Sequence, residues 1–125
     1  MNALEIARKT YELLSDKKKW AKGDFAMTDD EFQVETTSPN ATCFCMLGAI
    51  EHVTGIQPYS INTSEPVPPE IDRVVATIAE IVGYEDAGAS AVMDYNDSLG
   101  RQHRSIVRTL RLTVERLEKE EKRAA

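Results

Sequence analysis

Apolar and polar positions along the chain divide it into helical segments around one short extended stretch. Leu4, Ala7, Tyr11 and Leu14 recur at helical spacing, flanked by Ile6 and Leu13, and predict a helix reaching Lys19. Asn2 can cap it, and Lys17, Lys18 and Lys19 meet the negative end of its macrodipole. Residues 20–42 change character. Gly23 breaks the periodicity, Phe25 and Met27 alternate with polar neighbours, and Phe32 and Val34 do so again after an acidic turn. That alternation predicts a hairpin lying on the helices, since two strands alone are marginal.

A second helix is expected over residues 43–55, with Met46, Ala49, Ile50 and Val53 as its apolar face and Gly55 ending it. Gly48 inside it costs ~1 kcal/mol against alanine, so its presence points to close approach of another backbone or of a ligand. Residues 56–68 form a loop rich in proline, serine and threonine. A third helix follows over 69–82, with Pro69 in its first turn, Ile71, Val74, Val75, Ile78 and Val82 on one face, and Gly83 at its end. A short helix is expected over 85–94, then a polar turn. A last helix over 98–119, capped by Asp97 or Ser98, carries Ile106, Val107, Leu110, Val114 and Leu117 as its core stripe. Residues 120–125 read as a frayed tail.

The class expected is therefore mainly α with a small β-hairpin. The architecture is a compact bundle of three long helices, one short helix and a two-stranded ribbon. At 125 residues, 42% hydrophobic and 29% charged, the composition is globular, and no repeat or linker divides it, so one domain is expected.

The net charge of −6 opposes general binding to phosphate backbones and anionic membranes and would suit a basic partner. No apolar stretch approaches the ~18–20 residues that span a bilayer, and the amphipathic, charged segment MNALEIARKTYELL has no signal-like apolar run. Cys43 and Cys45 are too close in sequence for an unstrained disulfide. A reducing cytoplasm with free thiols is the expectation. Phosphate-loop, dinucleotide and metalloprotease motifs are absent from the sequence, and no cofactor is expected.

On a helical wheel at about 100° per residue, Leu99, His103, Ile106, Leu110 and Leu117 fall on the core side of the last helix, and Arg101, Arg104, Arg108 and Arg111 on the other. A histidine on an apolar face commonly hydrogen-bonds a carbonyl or carboxylate. The sharper possibility pairs it with Cys45, expected in the first turn of the second helix, where the positive helix end favours a thiolate. His103 would then act as base, with Asp97 or Asn96 orienting it. Cys43, Cys45, His52 and His103 have the atom types of a zinc site, but their spacing argues against one, and no metal is expected; His52 is then a surface residue. Arg111 can pair with Glu115, whereas Arg101 and Arg104 near a helix N-terminus call for acidic company or an anion.

Three segments, WAKGDFA (20–26), CFCMLGAI (43–50) and YNDSLGRQHRSIV (95–107), resemble in order and spacing a family of small uncharacterised bacterial and phage proteins. Cys45, Gly48, Ala49, Asn96, Asp97, Gly100, Arg101 and His103 match that family's pattern. Phe44 and Tyr95 stand where it usually has tryptophan, and Cys43 and His52 lie outside it. The resemblance implies a cytoplasmic bacterial or phage protein and brings no activity.

Two functional classes follow. The first is a binding module for a protein partner or small anionic ligand, such as an inhibitor of a host protein. Its groove would lie near the start of the last helix, formed by Trp20, Asn96, Asp97, Arg101, Arg104 and His103 beside Cys45. The second is a cysteine-dependent hydrolase or transferase using Cys45 and His103. A purely structural role for these residues, fixing helix packing, is the third possibility. The partner and the oligomeric state are not legible in the sequence.

Overall fold

The computed structural model describes residues 1–84 and 88–124. Five helices, α1 (Ala3–Leu14), α2 (Met46–Thr54), α3 (Pro69–Val82), α4 (Ala89–Asp97) and α5 (His103–Ala124), surround one apolar core. A small antiparallel ribbon, β1 (Ala26–Met27) with β2 (Cys43–Phe44), completes the fold. The protein is mainly α, as its periodicity predicts. α1 packs against α2, α3 and α5, and α4 lies on α2 and α3. Ile6, Leu14, Leu47, Ile50, Ile78, Ile106, Leu110 and Leu117 fill the space between them. Burying each such side chain contributes about 1.5–3 kcal/mol.

Local chemistry explains where α1 begins and ends. Asn2 and Glu5 form a reciprocal capping box, Asn2 Oδ1 accepting from Glu5 N at 2.9 Å and Glu5 Oε1 from Asn2 N at 3.2 Å. The helix stops at Leu14 instead of reaching Lys19. Ser15 Oγ donates back to Tyr11 O, and Asp16 caps a separate 3-10 turn, Lys17–Lys19, by accepting from Lys18 N. That break redirects the chain so that Trp20 and Ala21 run alongside Phe44.

The ribbon differs from the predicted hairpin. Residues 26–28 do turn back on 32–34, through Thr28 N to Phe32 O and Val34 N to Ala26 O. The regular strand partner of β1 is nevertheless β2, in the register Ala26↔Phe44 and Met27↔Cys43. Burial decides this: Ala26 and Phe44 are both inside the core, whereas Phe32 is 68% exposed. Cys43 and Phe44 therefore belong to a strand, and the second helix starts three residues later than its pattern suggests.

The later elements shift as well. The short helix is α4, starting four residues and ending three residues further along, so Tyr95, Asn96 and Asp97 form its last turn and not a linker turn. The first three positions of the expected short helix, 85–87, lie outside the described residues. α5 starts at His103, so Leu99 and Arg101 belong to the turn before it, and Leu99 is fully exposed instead of core-facing. Its C-terminal end continues to Ala124 where a frayed tail was expected. Glu120 pairs with Arg73 at 2.6 Å, Glu118 with Arg8 at 3.7 Å, and Leu117 is buried beneath.

Glu51, which sequence reasoning passed over, is a fully buried carboxylate. It accepts from the hydroxyls of Thr36 and Ser60 and from the amides of Tyr59 and Ser60. Those bonds tie the start of the proline-rich loop to α2. His52 beside it is half-buried, not a surface residue: Nδ1 bonds Thr36 O at 2.8 Å, and the ring packs on Phe44 at 4.4 Å.

Candidate functional site

The residues that the sequence singles out gather at one end of the molecule, where the turn after α1, the N-terminus of α2 and the α4–α5 turn meet. Asn96 is its centre. The side chain is 1% exposed, and every hydrogen-bonding position it has is used. Oδ1 accepts from Trp20 Nε1 at 2.9 Å and from Met46 N at 3.1 Å. Nδ2 donates to Ala21 O at 3.0 Å and to Asp97 Oδ1 at 2.9 Å. An amide has two donors and two acceptor lone pairs, so Asn96 is saturated. One side chain thereby joins three segments far apart in sequence.

Asp97 completes the clamp by accepting from Gly23 N at 3.0 Å. Neither residue caps the helix that follows them, as the sequence suggested; both hold segment 20–23 against α4. Lys22 adds a contact from the same segment, donating to Ser98 O at 3.0 Å, with its ammonium 5.7 Å from the centre of the Trp20 ring.

His103 and Cys45 belong to the same end but have separate partners. His103 Nε2 lies 2.6 Å from Leu14 O, and because a carbonyl only accepts, Nε2 carries the proton. Its ring centre is 6.0 Å from that of Trp20. Cys45 is the N-cap residue of α2 and not part of its first turn, its Sγ accepting from Gly48 N at 3.3 Å. Among the described residues no hydrogen bond joins Cys45 to His103. Burial pushes the Cys45 thiol up from near 9 to about 12, the Gly48 amide opposing and the Asp97 charge adding to the rise. The thiol is protonated at neutral pH, which is the reverse of an activated nucleophile.

That displacement sets the sign of a pH effect. Below pH 9 the thiol is protonated in both folded and unfolded chains and adds no pH dependence. Above pH 9 the unfolded thiol ionises while the folded one does not, until about pH 12. Stability is therefore expected to fall as pH rises through this window, by up to about 1.4 kcal/mol per pH unit from this group. The Cys45→Ser variant, which keeps a capping acceptor, should lose that part of the slope. Urea unfolding at pH 8, 9.5 and 10.5 measures it; equal slopes would show that the thiol ionises in the folded protein.

Arg101 is held by three contacts. Its guanidinium lies 3.7 Å from the centre of the Tyr95 ring, Nε donates to Tyr95 O at 2.9 Å, and Nη2 to Tyr84 Oη at 3.2 Å. It folds back on α4 and does not join the stripe on α5. Arg104, Arg108 and Arg111 are exposed along α5, and Arg111 pairs with Glu115 at 3.9 Å. Among the described residues neither Arg101, Arg104 nor Arg108 has a carboxylate within 4.0 Å, and no group of three or more His, Cys, Asp or Glu side chains is placed to hold a metal ion. No helix of the described residues is long and apolar enough to cross a membrane.

Sequence reasoning missed Glu51 and Tyr95. The signal for Glu51 was present: it is the single acidic residue in a helix that is otherwise apolar on nearly every side. Tyr95 was marked only as an aromatic in a family-like segment, and its role was hidden because its hydroxyl meets Ser105 O at 3.2 Å and Thr109 Oγ1 at 2.9 Å on a separate helix.

Fold and site together define a small, mainly helical protein whose distinctive polar residues form an asparagine–aspartate clamp at one end. The chain belongs to DUF6197, a family of unknown function whose model matches residues 1–116. Membership of a family without an assigned activity agrees with what the three sequence segments imply. Comparison with curated proteins and with solved structures found no match.

Proposed function

We propose that this protein is a binding module that docks an acidic segment of a partner protein onto the end of the molecule built around the clamp. The observation that carries this reading is the fully exposed Leu99, with Lys22 bonded to the Ser98 carbonyl beside it, in a chain of net charge −6. Lys17, Lys18 and Lys19 lie between Leu14 and Trp20, both of which are fastened to the α4–α5 region through His103 and Asn96. Lys22 reaches Ser98, next to Leu99, and Arg101 and Arg104 follow within five residues. Of the nearby carboxylates, Asp16 and Asp97 are turned onto backbone amides.

An apolar anchor with a basic rim suits a protein segment better than a nucleic acid, whose phosphates would leave the leucine without a partner. Half-buried Trp20 extends the apolar part of this surface. The saturated Asn96 and the protonated Cys45 support a scaffolding role for the residues beneath. The test is fluorescence anisotropy with a labelled peptide of alternating glutamate and leucine, beside a single-stranded DNA oligonucleotide. Saturable peptide binding is expected, weakened about tenfold or more by Leu99→Asp and by the pair Lys18→Glu and Lys19→Glu, with the oligonucleotide bound far less well. Peptide binding that ignores Leu99→Asp, or an oligonucleotide bound as tightly, would overturn the reading.

A further inference from the structure

A cleft of about 310 Å³ opens between the end of α3, α4 and the first half of α5. One stripe of α5 forms its floor: Ser105, Arg108, Thr109 and Leu112 follow the 0, 3, 4, 7 spacing that places residues on one helix face. Ile81 and Val82 of α3 supply an apolar wall, together with Leu112. Arg101 and Tyr95 close the other side. We infer that this cleft binds a small organic carboxylate carried on an apolar body.

The cationic half of the cleft is organised before any ligand arrives. Stacking on Tyr95 and two hydrogen bonds fix the plane of the Arg101 guanidinium, and among the described residues they leave both N–H groups of Nη1 and one of Nη2 unused. A guanidinium held in this way presents a planar fork, the geometry that a carboxylate meets with two parallel hydrogen bonds. Arg108 is a second cation on the same cleft, and no carboxylate of the described residues lies within ion-pair distance of either. The Ser105 hydroxyl, which has no hydrogen-bond partner among the described residues, adds a donor between them.

The apolar half decides the rest of the ligand. Leu112, Ile81 and Val82 are each only partly buried and face the cleft, so an alkyl or aryl body would cover them. A larger concavity, of about 490 Å³, lies between α1 and the end of α5, but its arginine, Arg8, is already paired with Glu118. The cleft is separate from the docking surface proposed above except for Arg101. Neither Arg108 nor Ser105 belongs to that surface, so the two proposals fail independently.

Octanoate is the probe, titrated into isotopically labelled full-length protein while amide chemical shifts are followed, with hexan-1-ol and inorganic phosphate as separate titrants. Saturable shifts confined to residues around Ile81, Val82, Ser105 and Thr109 are expected with octanoate, and much weaker ones with either other probe. Arg108→Gln replaces an exposed side chain and should keep the fold; it is expected to raise the apparent Kd for octanoate about tenfold or more, and Ser105→Ala by a few-fold. Absence of saturable shifts at these residues, shifts centred elsewhere, unchanged affinity in Arg108→Gln, or equal binding of hexan-1-ol or phosphate would each overturn the inference.

Discussion

Asn96→Ala is expected to lower the unfolding free energy by about 3–5 kcal/mol, near the upper end of what single substitutions do. The reason is what the side chain leaves behind. Its removal strips partners from Trp20 Nε1, Met46 N and Ala21 O, and takes one of two donors from Asp97. Each buried polar group left without a partner costs about 1–3 kcal/mol, and water reaches this position poorly because Asn96 is 1% exposed. Asn96→Asp is the sharper test. It preserves the volume and the Oδ1 acceptor but places a carboxylate oxygen where Nδ2 met Ala21 O and Asp97 Oδ1, so one acceptor faces two others. Both variants should be destabilised in urea unfolding at pH 7. A loss below about 1 kcal/mol in either would show that water replaces the side chain and that the clamp is not dry.

Gly48→Ala is expected to destabilise by at least ~3 kcal/mol, although the same change at an open helix position stabilises by ~1 kcal/mol. The reversal of sign comes from Phe25. Its carbonyl lies over the first turn of α2 and accepts from Cys45 N at 3.3 Å, and a Cβ on Gly48 would stand 1.8 Å from that oxygen. The obstacle is backbone, so relief requires moving residue 25 and, with it, β1, which starts at the next residue. Gly48→Ala should also weaken protection of the Cys45 and Thr42 amides in hydrogen exchange, since both donate to the displaced strand segment. A stabilised variant would mean that α2 and the ribbon separate without loss.

Gly48 also shows how sequence and tertiary structure divide the explanation. A glycine inside an apolar helix signals close approach by something, and that much is local. Which backbone approaches is not local: it is that of Phe25, just before β1, and its position depends on which segment pairs with the ribbon. The ribbon illustrates the same point: the alternation at 25–27 and 32–34 was legible, but its main partner at 43–44 was not. Cys43 and Phe44 carry the same apolar character whether they open a helix or close a strand.

What the sequence determined by itself is everything that acts within a few residues. The faces of α1, α3 and α5, the Asn2 cap, and the glycines at 55 and 83 that end α2 and α3 with φ of 73° and 70° all follow from spacing and backbone freedom. The family-like segments marked which residues gather at one end. Only the tertiary structure decided what those residues do there, because their partners are distant along the chain: Asn96 with Trp20 and Met46, His103 with Leu14, Glu51 with Tyr59 and Ser60. Hydrogen bonds of this kind depend on donors and acceptors brought within about 3 Å by the packing of whole helices, and no local periodicity encodes that distance.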